Sequence, residues 1–361
     1  MSDLGVGLLG ITHPHTSGRL QVLLDEPGIS VLGVADDHPV VEPFVSHFGI
    51  PRRSTREILD DEAVRAVLIH SKSDEMHTLA AAALRAGKAV LVEKPAGRTV
   101  ADLQVLADAV ADTGGFCQVG YNFRFSRAVD RTDAILGDGL LGDVVQVRAH
   151  GACSLDEAAT SHLNQPGDMG GALWVIGCHM IDLLLHHFGL PQSVNARVPK
   201  FDGLKHPSFG EDAAGATLNY ADKLVTFDFM SWDALPWQET WELSIYGTEG
   251  VLHAGVLPAQ TRLYLRAENA GLAAGWTTWR QTSFPVPWAA TPTSYTPELA
   301  EIANSELFKR EVGAFLAAVR GQAPVPIDAA HALGIARVID ACYASSAADG
   351  APVTLSSIST S

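Results

Sequence analysis

The chain has 361 residues, 47% hydrophobic and 18% charged, with 41 acidic against 25 basic side chains and a formal charge of −16. That length fits two domains of ordinary size, and the apolar content supports a substantial core, which sets aside disorder and coiled coil. The acidity argues against nucleic acid or an anionic membrane as partner, since both require a basic footprint. The four cysteines (Cys117, Cys153, Cys178 and Cys342) are too few for a disulfide scaffold and too scattered for a zinc site. Met1-Ser2-Asp3-Leu4 leads straight into an apolar strand with no basic segment or cleavage site. The most apolar stretch, 172–190, carries His179, Asp182, His186 and His187, which a bilayer tolerates poorly. A soluble, cytoplasmic protein is expected.

The first third alternates strand and helix. Apolar runs at 6–9, 29–35, 66–69, 89–92 and 116–120 predict strands. Helical patterns at about 15–24, 76–86 and 99–112 fall between them, and Ser54-Thr55-Arg56-Glu57 reads as a capping box. Strands without alternation, each followed by a helix, mean a parallel sheet covered on both faces. The expected fold is therefore an α/β Rossmann domain, doubly wound, over 1–122. Its ligand site belongs at the carboxyl ends of the strands. Beyond Asn122 the pattern changes. A helix at 130–136, a strand at 144–150 and an amphipathic helix at 174–188 precede strands at 214–220, 223–229, 240–246 and 262–266. Helices at 306–320 and 329–347 close the chain. Residues 123–361 are thus read as an α+β domain with a large, mainly antiparallel sheet, serving substrate binding and oligomerisation.

Three features carry chemistry. Gly10-Ile11-Thr12-His13 sits between the first strand and first helix, where a dinucleotide fingerprint belongs. Gly10 makes the tight turn; Thr12 and His15 replace the usual later glycines, leaving a degenerate motif whose Thr12 hydroxyl can still meet a phosphate. His13 and His15 have no carboxylate or Cys near them in sequence, so no metal is expected. Asp36, after the second strand, is placed to accept from adenosine ribose hydroxyls, and with Asp37 it repels a 2′-phosphate. Arg52, Arg53 and Arg56 could fold back, yet NAD is favoured over NADP. Glu93-Lys94-Pro95 puts a lysine at the carboxyl end of an inner strand, where its ammonium can polarise a carbonyl or alkoxide oxygen.

Together Gly7-Leu8-Leu9-Gly10, the run from Ala86 to Pro95, Val119-Gly120-Tyr121-Asn122-Phe123-Arg124-Phe125 and Gly177-Cys178-His179-Met180-Ile181-Asp182 resemble the Gfo/Idh/MocA family of sugar and inositol dehydrogenases. Phe227, Trp232, Tyr246-Gly247-Thr248-Glu249-Gly250 and Ala329-Ala330-His331-Ala332-Leu333 extend the resemblance over nearly the whole chain. The resemblance implies that Lys94 lies beside nicotinamide and substrate hydroxyl. It implicates Ser71, Lys72, Asp74 and His77 with adenine and ribose, and Asn122 and Arg124 near nicotinamide and substrate. His179 corresponds to the family's catalytic acid/base, but Val175 stands where members carry an aspartate. Positions four apart share a helix face, so that carboxylate would tune the imidazole; Asp182 or Asp168 could compensate.

His162, Asn164 and Asp168 are candidates for binding hydroxyls. Six of the seven tryptophans fall between 232 and 288, where one or two could stack on a sugar ring and others fill the sheet or a subunit contact. The expected activity is an NAD-dependent dehydrogenase of a sugar, sugar derivative or cyclitol, a homodimer or homotetramer through its second-domain sheet. Two alternatives stand beside it: a dinucleotide-binding sensor without turnover, and an enzyme whose tightly held NAD drives elimination or glycosidic cleavage by transient oxidation.

Overall fold

The computed structural model describes residues 3–152, 171–201, 211–231, 241–256, 259–280 and 306–355. Two compact units emerge among the described residues: the first holds 3–122 and 306–333, the second the remainder. Among the described residues no helix is long and apolar enough to cross a membrane.

In the first unit, β1 (Leu4–Leu9), β2 (Ile29–Ala35), β3 (Val64–Ile69), β4 (Ala89–Glu93) and β5 (Cys117–Gly120) form a parallel sheet in the order β2-β1-β3-β4-β5. The inner strands are apolar without alternation because both faces are covered, and β4 is buried at four of its five positions. The covering helices are α1 (Thr16–Asp25), α2 (Val41–Phe48), α3 (Thr55–Asp60), α4 (Ser73–Arg85) and α5 (Val100–Thr113). Capping boxes Ser54/Glu57 and Thr99/Asp102 start α3 and α5, each satisfying amides that a helix start leaves unpaired. Helix α2 went unread, its apolar positions being short and split by Pro43.

The unit is completed from the far end of the chain. Helix α8 (Glu306–Val319; α6 and α7 belong to the second unit) packs Phe308, Val312, Phe315 and Leu316 into the core that also contains Leu20, Leu23, Val34 and Phe44. The sequence assigns this helix to the second domain; its packing is with α1. Gly18 makes the approach possible, since a Cβ there would stand 2.7 Å from the Phe308 ring.

Among the described residues the second unit has a sheet of nine strands, ordered β13-β12-β11-β10-β6-β9-β8-β7-β14. They are β6 (Val144–Ala152), β7 (Ser193–Arg197), β8 (Ala213–Asn219), β9 (Leu224–Met230), β10 (Trp241–Gly247), β11 (Gly250–Gly255), β12 (Gln260–Leu265), β13 (Gly275–Arg280) and β14 (Val353–Thr354). Every pairing is antiparallel except β6 with β9. One face alternates inward and buried, as in β12, where Thr261, Leu263 and Leu265 are buried and Arg262 and Tyr264 exposed. Helices α6 (Arg127–Gly137), α7 (Cys178–Phe188) and the later part of α9 (Ala329–Ala347) belong to this unit. The predicted helix over 174–188 is not uniform: Leu173–Gly177 form a π turn and α7 begins only at Cys178.

Phe308 tests the closure of the first unit. Phe308→Ala should cost about 3–5 kcal/mol by leaving a cavity, read as a lower midpoint in urea unfolding followed by far-UV circular dichroism.

Candidate active site

Gly10 ends β1 with φ +81°, and a Cβ there would lie 2.5 Å from the Ser71 backbone, so only glycine fits. The loop behind it is largely self-satisfied. The Ile11 amide donates to Asp36 Oδ2 at 2.7 Å, and the His13 amide to the His70 carbonyl at 3.3 Å. The His15 amide donates to His13 Nδ1 at 3.2 Å. A phosphate would therefore meet the amide and hydroxyl of partly exposed Thr12 rather than a full ring of amides. Asp36 is engaged on both oxygens, Oδ1 accepting from the His38 amide at 2.7 Å. A carboxylate still has lone pairs for ribose hydroxyls.

Along the carboxyl edge of β3, β4 and β5, buried polar atoms lack hydrogen-bond partners among the described residues. They are His70 Nδ1, Ser73 Oγ, His77 Nδ1 and Asn122 Oδ1. Leaving such atoms unpaired is costly, so this edge fits a polar ligand such as a dinucleotide. Ser71 is half-buried, its hydroxyl donating to Glu75 at 2.6 Å, while Lys72 and Asp74 are exposed at the start of α4. His77 Nε2 lies 3.6 Å from Asp102. His70 and Ser73 escaped the sequence reading, because nothing local marks a residue as buried and unpartnered.

Lys94 and Glu93 are both buried. Glu93 Oε1 accepts from the Lys94 amide at 3.0 Å, and its Oε2 accepts from Arg19 Nη1. Arg19 is fully buried and also grips Glu311 of α8, through Nε at 2.6 Å and Nη2 at 3.0 Å. Its Nη1 donates to His70 Nε2 at 3.2 Å, which places the His70 proton on Nδ1. His15 Nδ1 donates to Glu93 Oε2 at 3.1 Å. One guanidinium thus serves two carboxylates. Burial alone would raise Glu93, but Arg19, with His13 and His15, holds it well below the usual range. Burial pushes Glu311 up against the pull of Arg19, and Glu93 repels it further. Burial and Arg19 lower His70 to about 3, so it is neutral; burial also lowers His15.

The carboxylate that His13 and His15 lack in sequence is therefore supplied by Glu93, and their ligand atoms lie within 4.8 Å of one another. Glu93 Oε2 is already taken by Arg19 and His15, however, and His13 Nδ1 by an amide. These atoms belong to the buried hydrogen-bond network centred on Arg19.

In the second unit, His179 on α7 is buried and stacks on Phe123 at 4.3 Å, with Trp241 edge-on at 6.3 Å. Of the tryptophans read as sugar platforms, Trp241 meets the candidate base. Trp276 is 50% exposed on the sheet's outer face, and Trp279 lies under the Arg131 guanidinium. Val175 is buried in the π turn. Asp182 is fully buried and binds Arg124 through both oxygens, Oδ2 accepting from Nε at 3.1 Å. Arg124 also donates to His186 Nδ1 at 2.9 Å. The proton of His186 must then sit on Nε2, which donates to Asp133 at 2.8 Å. Asp133, His186 and His187 are close enough to suggest a metal group, but that proton occupies the ligand position. Glu211, unread in the sequence, accepts from the Leu173 amide and the Tyr343 hydroxyl, both at 2.7 Å. His162 and Asp168 lie outside the described residues.

With these arrangements established, comparison with known proteins is decisive for ancestry. Residues 4–121 match the model of an oxidoreductase family's NAD-binding Rossmann fold, and 134–355 match the same family's C-terminal alpha/beta domain. The chain belongs to the Gfo/Idh/MocA oxidoreductase family. It is 28% identical over 196 residues to the scyllo-inositol 2-dehydrogenase (NADP(+)) IolW of Bacillus subtilis, covering 54% of this chain and 53% of that protein. It is 30% identical over 202 residues to the levoglucosan dehydrogenase of Pseudarthrobacter phenanthrenivorans, covering 54% and 52%. The chain thus spans about half the length of these curated relatives. Among solved structures, an Agrobacterium radiobacter oxidoreductase in complex with NAD+, L-tartaric acid and magnesium superposes with TM-score 0.81, covering 98% of each chain at 16% identity. Levoglucosan dehydrogenase with NADH and levoglucosan gives 0.77 at 20% identity, covering 98% and 99%. At such identities the likeness shows the fold.

Arg19→Met should lower stability by about 3–5 kcal/mol, because Glu93 would stay buried without its cation. Glu93's depressed carboxyl contributes stability above its unfolded value near 4.5, which is lost as pH falls through the folded value. The deficit of Arg19→Met should therefore be largest at pH 7 and shrink below about pH 4.5, measured by urea unfolding at both pH values.

Proposed function

We propose that the chain is a nicotinamide-dinucleotide-dependent dehydrogenase acting on a hydroxyl of a sugar, sugar derivative or cyclitol, with NAD the favoured cofactor. The observation that carries this reading is the row of unpartnered buried polar atoms along the carboxyl edge of the first sheet, beside buried Lys94. The names of the relatives, dehydrogenases of scyllo-inositol and levoglucosan, support the substrate class.

When bound, the nicotinamide supplies the two-electron acceptor. The chain's residues do the rest. Asp36 receives the adenosine ribose hydroxyls while holding the loop through the Ile11 amide. Gly10 and Thr12 make room for the pyrophosphate, next to His13. Ser71, Lys72, Asp74 and His77 border the adenosine, and Asn122 the nicotinamide. Lys94, its backbone held by Glu93, steadies negative charge developing on the substrate oxygen. His179 accepts the hydroxyl proton, its ring plane set by Phe123. Arg124 and Asp182, locked together, orient the substrate side as a fixed dipole. The outer sheet face, with Tyr264 and Trp276 exposed, serves a homodimer or homotetramer.

A second reading is favoured by one observation: the apolar Val175, where the family's aspartate would stand, leaves the imidazole without that carboxylate. On this reading the chain binds dinucleotide as a sensor and does not turn over. The two separate in one experiment, in which a panel of polyols and sugars is offered with NAD and absorbance is followed at 340 nm. The dehydrogenase predicts NADH formation that falls about 10²–10⁴-fold in Lys94→Met or His179→Asn, as for loss of a polarising group or general base. Dinucleotide binding with no turnover across the panel would establish the sensor instead. NAD should outperform NADP, and Asp36→Ala should narrow that gap in kcat/KM; an unmodified protein preferring NADP would refute the role given to Asp36.

A further inference from the structure

Helix α7 begins at Cys178, so His179, Asp182 and His186 fall at i, i+3 and i+7 along one stripe of it. The stripe runs from the core to the surface over about 10 Å of helix. His179 and Asp182 are buried, whereas the His186 side chain is 29% exposed. Arg124, from the 3₁₀ turn Asn122–Phe125, ties the last two together. Its Nε and Nη2 donate to the Asp182 carboxylate, and its Nη1 donates to His186 Nδ1 at 2.9 Å. On the other side of the ring, His186 Nε2 donates to Asp133 Oδ1 of α6 at 2.8 Å, and the Asp133 side chain is 47% exposed. A run of polar contacts thus leads from solvent to the carboxylate three residues beyond the candidate base.

The donors fix the protonation state of that run. A guanidinium has only N–H groups to offer, so His186 Nδ1 keeps its lone pair and the ring is neutral. A proton on Nδ1 would turn the acceptor into a donor and set two cations 2.9 Å apart, a contact that cannot persist. Among the described residues three groups face the ring. Arg124 opposes that proton, Asp133 attracts it, and His187 places its own Nδ1 3.3 Å from the same Asp133 oxygen. Burial would raise Asp133, but hydrogen bonds from His186 and His187 hold it well below the usual carboxylate range, so it stays charged. Burial lowers His187, which stays neutral. Imidazole is the side chain whose charge changes in mildly acidic solution.

We propose that His186, oriented by Asp133, is a positioning residue for Arg124. As a neutral ring it holds the guanidinium in place beside Asp182; once protonated it releases that end, and substrate is held less well in mildly acidic solution. The inference rests on the dehydrogenase reading above and on Arg124 as a group that orients the substrate. His186 acts through Arg124 alone.

Two measurements on the whole chain test this, and the first needs no turnover. With isotope-labelled histidine and arginine, nitrogen–proton correlation spectra, assigned through His186→Gln and Arg124→Lys, are followed from about pH 8 to about pH 5.5. His186 should carry its proton on Nε2 alone at the upper end, and the Arg124 Nε–H signal should shift along the curve on which Nδ1 gains a proton. In His186→Gln, whose amide oxygen and amide nitrogen reproduce both contacts without titrating, the Arg124 signal should stay in place. The second measurement follows NADH formation from whichever polyol or sugar of the panel is turned over. KM should rise about ten-fold over that range, as for loss of one hydrogen bond to a charged group, while His186→Gln keeps KM flat. kcat should follow one pH profile in both proteins, since His179 is unchanged. His186→Phe, which offers Arg124 no acceptor, should raise KM about ten-fold at the upper end as well. Asp133→Asn removes the charge that attracts the proton and should move the rise in KM to lower pH. An Arg124 signal that ignores the His186 titration, or a KM profile unchanged in His186→Gln, would overturn the proposal with the dehydrogenase intact. Silence of the whole panel with dinucleotide bound would overturn the dehydrogenase reading and the effect on substrate with it, while the spectra still decide whether His186 holds Arg124.

Discussion

A fully buried guanidinium sits between two buried carboxylates brought from distant parts of the chain, and the first unit is organised about that contact. Arg19 comes from α1, Glu93 from the end of β4 and Glu311 from α8. A buried cation must be paired or it destabilises the fold, so the three elements are tied together at this point. That requirement draws a helix from the last sixth of the chain onto a sheet completed by residue 120. The pairing also holds the residue next to Lys94. Glu93, fixed by that pairing, is thus adjacent along one backbone to buried Lys94.

The same logic runs through the edge of the first sheet, where conflicting demands meet on short loops. The Gly10 loop spends its amides on Asp36, His70 and His13, making it rigid before any ligand arrives. What it withholds from a phosphate is balanced by the unpartnered groups of His70, Ser73, His77 and Asn122 on the neighbouring strand ends. Preorganised donors and acceptors of this kind favour a bound ligand because they need no rearrangement. On the other flank, the pairing of residues 51–53 with β2 protects an edge strand.

The second unit uses aromatic packing where the first uses charge. His179 is held by Phe123 and Trp241, so its orientation follows from ring contacts and the π turn before α7. Arg124 pairs with both oxygens of Asp182 and also donates to His186, which fixes its guanidinium. Val175 is apolar in a buried setting, and the His179 ring packs between Phe123 and Trp241.

Most of the architecture was legible in the chain. Strand positions in the first unit, the capping box at Ser54, the helix at 329–347 and the change to antiparallel strands beyond Asn122 are local signals: hydrophobic period, turn residues and caps act within a few residues of themselves. The family motifs around Lys94 and His179 were legible for the same reason. What only the tertiary structure decided is the pairing of charges and the location of α8. Arg19 carries no mark in sequence that it meets Glu93 and Glu311, nor Arg124 that it meets Asp182. A side chain's partner depends on which elements fold beside it, and burial, which turns a carboxylate from solvated to obligately paired, is a property of the assembled core alone.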